Sequence, residues 1–142
     1  MIRPATLADV RDILGIVDQQ TLLYPKLRAD RMKILKNIKE VISTAKHFCW
    51  VSCDRKVTGV IVGITNENMW AQRQSCNIVI WVTKIPGDGV KLLQELRNWI
   101  RSRRAIKVAG FAPDTDDIDP RVWKLVEMLG FKRCGGAYLF YN

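Results

Sequence analysis

At 142 residues, with 48% hydrophobic and 26% charged side chains, the chain has the balance of one globular domain with enough apolar mass for a real core. No apolar run nears the roughly 18 residues that span a bilayer, and Met1-Ile2-Arg3-Pro4 opens without a signal-peptide core, so a cytoplasmic protein is expected. The net charge of +9, from 23 Lys plus Arg against 14 Asp plus Glu, implies polyanionic company: nucleic acid, an acidic protein or a phosphorylated cofactor.

In chain order, Ile2 and Arg3 suggest a short first strand. Thr6, with Asp9 three residues on, is a capping-box-like start for a helix whose apolar face is Leu7, Val10, Ile13, Leu14 and Val17. Residues 18 to 26 break that pattern in a loop holding Tyr24 and Pro25. A second helix, about Leu27 to Ala45, follows with Ile34, Leu35, Ile38, Val41 and Ile42 inward and a basic face of Arg28, Lys33, Lys36 and Lys39, which reads as solvated surface or as a nucleic-acid stripe. The period then changes to strands. Phe48 to Cys53 and Val57 to Ile64 flank the hairpin turn Asp54-Arg55-Lys56, and Asn66-Glu67-Asn68 turns the chain into a longer strand, about Met69 to Val82.

Past Val82 comes a glycine turn carrying Pro86, Gly87 and Gly89, then Val90, Leu93, Leu96, Trp99 and Ile100 at helical spacing, a helix of about Val90 to Arg104. Where a helix opens on such a turn, free backbone N–H groups and the positive dipole end converge, and a phosphate fits there. The two glycines equally suit a tight strand-to-helix turn. A short strand, Ile106 to Phe111, precedes the acidic loop of Asp114, Asp116 and Asp117. Asp119 then Pro120 is an N-cap with proline at the first helical position, opening a helix with Val122, Leu125, Val126 and Leu129 inward and Gly130 as its stop. Phe131 to Cys134 and Ala137 to Tyr141, around Gly135-Gly136, read as a closing hairpin.

Cys49, Cys53, Cys76 and Cys134 form no CxxC pair and His47 is the only histidine, so reduced core thiols are expected rather than a metal site. A Ser-His-Asp or Cys-His mechanism would rest on His47 alone, away from any nucleophile motif.

The order β-α-α-β-β-β-α-β-α-β-β, together with Ile2-Arg3-Pro4-Ala5-Thr6-Leu7-Ala8-Asp9 at the start, Lys84-Ile85-Pro86-Gly87-Asp88-Gly89 in the middle and Leu129-Gly130-Phe131-Lys132-Arg133 near the end, resembles the GNAT superfamily of N-acetyltransferases over nearly the whole chain. The middle motif is similar to the family's cofactor loop, Gln/Arg-x-x-Gly-x-Gly/Ala, with lysine in the first slot. The resemblance implies a single α+β domain, residues 1–142, with a mixed, mostly antiparallel sheet of about seven strands and four helices. It implies acetyl-CoA as acyl donor and a primary amine as acceptor. The pantetheine arm would lie along Trp81, Val82 and Thr83, and the diphosphate on Lys84, Ile85, Pro86, Gly87, Asp88, Gly89, Val90 and Lys91. Lys84 and Lys91 oppose the phosphate charge, whereas Asp88 suits the helix dipole but repels the diphosphate. With one residue between Val82 and Lys84 the turn is shorter than in most of the family, and is similar to that of small members encoded by tailed bacteriophages.

The family's acid-base pattern is not matched. Its usual fourth-strand glutamate falls here near Cys76 and Asn77, and the tyrosine that protonates the leaving thiolate corresponds to Val126. Asn77 could position a water. Cys76, Tyr138 and Tyr24 remain as further candidates, the tyrosines also for binding substrate, and Glu67, Asp114, Asp116 and Asp117 as substitute carboxylates. An acyltransferase acting on an acidic protein or an amine-bearing nucleotide is one reading. The other is a non-catalytic domain of the same kind that binds nucleic acid or a protein partner through Arg97, Arg101, Arg103, Arg104 and Lys107, with Trp99 among them.

Overall fold

The computed structural model describes residues 1–20, 29–111 and 119–135. In these the chain forms five strands, β1 (Ile2–Pro4), β2 (Phe48–Cys53), β3 (Val57–Glu67), β4 (Gln74–Thr83) and β5 (Ile106–Gly110), and four helices, α1 (Val10–Gln20), α2 (Arg31–Ile42), α3 (Asp88–Ser102) and α4 (Pro120–Met128). The sheet runs β1-β2-β3-β4-β5, antiparallel throughout except for the parallel β4–β5 pair.

Strands β2 and β3 are apolar at nearly every position because helices cover both faces of the sheet. Cys49, Val51, Val60 and Val62 pack with Val10, Ile13, Leu14 and Val17 of α1 and with Ile38 and Val41 of α2. Phe48 and Ile61 point the other way, to Leu92, Leu93 and Leu96 of α3 and Val126 of α4. Fully burying each such side chain contributes about 1.5–3 kcal/mol, so the sheet centre is the stable frame on which the loops are mounted.

Local signals set several boundaries. Thr6 and Asp9 form the expected capping box, on a single turn of 3-10 helix (Leu7–Asp9) that leads into α1, and Asp9 also takes both Arg3 guanidinium nitrogens at 2.7 and 2.9 Å. Asp119 caps α4 by accepting from the Arg121 amide at 2.9 Å, and Gly130, at φ 96°, ends that helix. Asp54 N–H donates to Lys56 O at 3.2 Å in the β2–β3 hairpin.

Other expectations are corrected. Strand β4 begins at Gln74 rather than Met69, because Asn68 N–H donates to Arg73 O (3.0 Å) and Trp70 N–H to Asn68 Oδ1 (2.8 Å), which folds that segment into the hairpin tip. Helix α2 starts at Arg31, where Asp30 accepts from the Lys33 amide at 3.1 Å, and stops at Ile42 rather than Ala45. Among the described residues there are five strands where seven were expected in the chain: Phe131 to Cys134 is not a strand, and Ala137 to Tyr141 lies outside the described residues. Among the described residues no helix is long and apolar enough to cross a membrane.

Candidate active site

Strands β4 and β5 pair only from Gln74↔Ile106 to Asn77↔Gly110; beyond that rung β4 runs on to Thr83 with no partner on that side among the described residues. Two features hold the fork open. On the β3 side the register passes from Gly63↔Ile78 to Val62↔Ile80, so Val79 is an extra, bulged residue, and a bulge bends its strand. On the helix side the rings of Trp81 and Phe111 meet edge-on at 5.4 Å, and Phe111 stacks on Trp123 at 6.1 Å, a wedge of aromatic volume at the parting of the strands.

Backbone alternation decides which groups face the opening. Lys84 N–H donates to Thr58 O at 2.8 Å, so its peptide faces β3. Counting back, Ile80 and Val82 face β3 as well, and the peptide groups of Trp81 and Thr83 face the free edge.

The turn after β4 divides the anticipated phosphate stretch. The Lys84 amide is taken by Thr58 O, the Ile85 amide by Thr83 Oγ1 at 3.1 Å and the Asp88 amide by Ile85 O at 3.3 Å. Gly87, at φ 86°, is the N-cap of α3 and has no side chain with which to close the helix head. The amides of Gly87, Gly89 and Val90 make no bond among the described residues. Gly89 is buried against Thr83 and Trp81, which leaves Gly87 and Val90 the more accessible pair. Pro86 has no amide to offer. The ammonium groups of Lys84 and Lys91 are exposed on either side of the turn.

Asp88 is not turned toward that anion-attracting spot. Its Oδ2 accepts a short hydrogen bond from the buried Ser52 hydroxyl, and Oδ1 lies 3.4 Å from Lys91 Nζ. The Ser52 bond first, and Lys91 second, hold the carboxyl below the usual carboxylate range against an opposing burial effect. No sequence signal links Ser52 to Asp88, because they lie 36 residues apart.

Of the catalytic candidates, Asn77 is exposed on the last paired rung, where the strands part. Cys76, next to it, points to the opposite face. It is fully buried, its thiol pushed up by burial to about 11, and so does not meet the opening. Glu67 ends β3 opposite Gln74, one end of the sheet away from Thr83. Tyr24, Tyr138, Asp114, Asp116 and Asp117 lie outside the described residues. His47 Nδ1 accepts from the Thr65 amide at 3.0 Å, and burial, with Lys46 nearby, holds its pKa below the ordinary value, a structural engagement rather than a catalytic one. No group of three or more His, Cys, Asp and Glu gathers among the described residues.

The basic cluster anticipated around Trp99 is partly committed to the protein itself. Arg103 lies 4.9 Å over the Trp99 ring and donates to Ala45 O at 2.9 Å, and Arg97 donates to Leu129 O at 3.4 Å. The Trp99 ring also packs on Phe48 at 5.3 Å, so it is not free to stack on a partner.

No protein-family model and no curated protein matches the chain. Solved structures do. A possible acetyltransferase from Clostridium difficile 630 superposes with a TM-score of 0.73 at 16% identity, covering 100% of this chain and 96% of the other. A predicted acetyltransferase from Clostridium acetobutylicum, determined with acetyl-CoA, gives 0.73 at 12% identity, with coverage of 100% and 95%. An aminoglycoside acetyltransferase from an uncultured soil metagenomic sample, in complex with sisomicin, gives 0.66 at 11%, with 100% and 94% covered. At these identities the likeness is one of fold, and the chain has a GNAT-like acetyltransferase fold.

Proposed function

We propose that the chain is an acyl-CoA-dependent N-acyltransferase that moves an acetyl group from acetyl-CoA to a primary amine. The observation that carries the reading is the pairing of two unsatisfied backbone features 4–9 residues apart in sequence: the free edge of β4 at Trp81 and Thr83, and the uncapped head of α3 at Gly87 and Val90. An extended arm bearing amides suits the first, because strand-edge N–H and C=O groups need partners of that geometry. A diphosphate suits the second, with Lys84 and Lys91 beside it.

Acetyl-CoA, when bound, supplies an activated thioester. The chain's own residues align the arm along β4 and bring the acyl end toward Asn77 and Val79. Attack by a neutral amine forms the C–N bond and breaks the C–S bond, and the thiolate leaves. Strand β4 holds no carboxylate to take the amine proton, so Asn77 orients a water that carries it to solvent, and most of the acceleration comes from holding amine and thioester together. The acceptor is a small amine-bearing molecule or an amine on a larger polyanion, as the excess of cationic side chains favours.

Thermal unfolding with and without acetyl-CoA tests the donor, and thiol release from acetyl-CoA in the presence of a panel of aminoglycosides, polyamines and amino-terminal peptides tests the transfer. A melting temperature unmoved by acetyl-CoA at millimolar concentration overturns the reading.

A further inference from the structure

We propose that the β3–β4 hairpin tip is a second binding site, one that takes an unpaired nucleobase and the adjoining phosphates of a single-stranded nucleic acid. Trp70 is 88% exposed and Met69 86%, the two most exposed large apolar side chains among the described residues. An indole left in water on an ordered turn is a stacking platform without its partner. The turn is ordered by its own bonds, Asn68 N–H to Arg73 O and Trp70 N–H to Asn68 Oδ1.

Residues on either side of Trp70 in sequence line a cavity of about 360 Å³, among them Glu67, Asn68, Gln72, Arg73 and Gln74, together with Ala105. Its lining includes the side-chain amides of Asn68, Gln72 and Gln74 and the carboxylate of Glu67, the types of group that read the edges of bases. One cation lines the cavity and two more are close in sequence to its lining residue Ala105. Arg73 is exposed on the tip, Arg104 precedes the lining residue Ala105, and Lys107 is the extra residue where the β4–β5 register passes from Gln74↔Ile106 to Ser75↔Val108. None of the three is in an ion pair among the described residues. The exposed indole is Trp70, whereas Trp99, anticipated within the basic cluster, is packed on Phe48.

A lipid surface fits less well, because two apolar side chains offer little area to insert and the polar cavity has nothing to gain from acyl chains. The site lies at the Gln74 end of the 10-residue strand β4, roughly 30 Å from the turn at Lys84. It is therefore independent of the acyl-CoA reading.

The test uses the full chain and a fluorescein-labelled, mixed-sequence single strand of about ten nucleotides. Anisotropy should show binding that weakens steeply with salt, with quenching of tryptophan emission. Trp70→Ala should weaken it about tenfold, and Arg104→Gln and Lys107→Gln should each lower the salt slope by about one, with melting temperatures unchanged because all three side chains are exposed. Three results overturn the proposal: Trp70→Ala binding as the parent does, coenzyme A displacing the oligonucleotide, or phosphatidylserine-containing vesicles being bound while the oligonucleotide is not.

Discussion

Trp81 Nε1–H donates to the carbonyl oxygen of Gly89 at 2.9 Å, tying the open edge of β4 to the first turn of α3. The two backbone features assigned to acetyl-CoA are thus held at a fixed separation by one side chain. Trp81→Phe keeps a ring against Phe111 and loses the hydrogen bond, worth about 1 kcal/mol. The expected outcome is a small fall in melting temperature and a severalfold rise in the acetyl-CoA Kd by calorimetry. An unchanged Kd would show that the tie does not position the donor.

Gly89 and Gly87 should respond differently to alanine. A Cβ on Gly89 would lie 3.0 Å from Thr83 Cγ2 and 3.4 Å from Trp81 Nε1, so these side chains must give by a few tenths of an ångström at the strand edge, at about 1–3 kcal/mol. At Gly87 there is open space, and the cost is the left-handed backbone, φ 86°, about 1–2 kcal/mol. Denaturant melts of the two variants compare these costs. Only Gly89→Ala should also abolish the thermal shift produced by acetyl-CoA.

Asp88 is drawn away from the helix head by Ser52. Ser52→Ala frees a carboxylate beside the diphosphate position, and acetyl-CoA should bind more weakly. Asp88→Asn removes the negative charge and should bind two- to threefold more tightly at low salt, with the gain fading at high salt. Equal effects of both variants in the same direction would refute an electrostatic role.

Acid should loosen the N-terminal turn. Asp9 is 7% exposed, and its carboxyl is held down to about 2 by hydrogen bonds from Arg3 and then from Thr6, against burial. Since the folded value lies below the unfolded one, the contribution is complete above about pH 4 and is lost as pH falls toward about 2. Asp9→Asn should cost about 2 kcal/mol at neutral pH, a difference that shrinks over that window in urea titrations.

Thiol labelling separates the cysteines. In the native protein Cys134, which is exposed, and Cys53, which is partly so, should react with a disulfide reagent. Cys49 and Cys76, whose thiols burial pushes up to about 12 and about 11, should react only on unfolding. Cys76→Ala should lower stability yet retain acetyl transfer per folded molecule. Loss of transfer at full folding would return Cys76 to the chemistry.

Much of this was legible in the residues themselves. The caps at Thr6–Asp9 and Asp119, the glycine head of α3 and the helix stop at Gly130 all rest on contacts within a few positions, which local propensity encodes. The strand limits were harder to read. Met69 to Arg73 shares β-forming residues with β4 but lacks alternating apolar positions, the one hint that it is a turn.

What the sequence by itself determined is the order of elements from β1 to α4, the basic balance and the turn that could receive a phosphate, because each depends on side-chain type and short spacing. Only the tertiary structure decided that β4 and β5 part after Asn77, that Ser52 holds Asp88, that Trp99 is packed on Phe48, and that Trp70 is exposed. Those facts arise from pairing register and from contacts between distant strands and helices, where a one-residue bulge such as Val79 changes which groups meet.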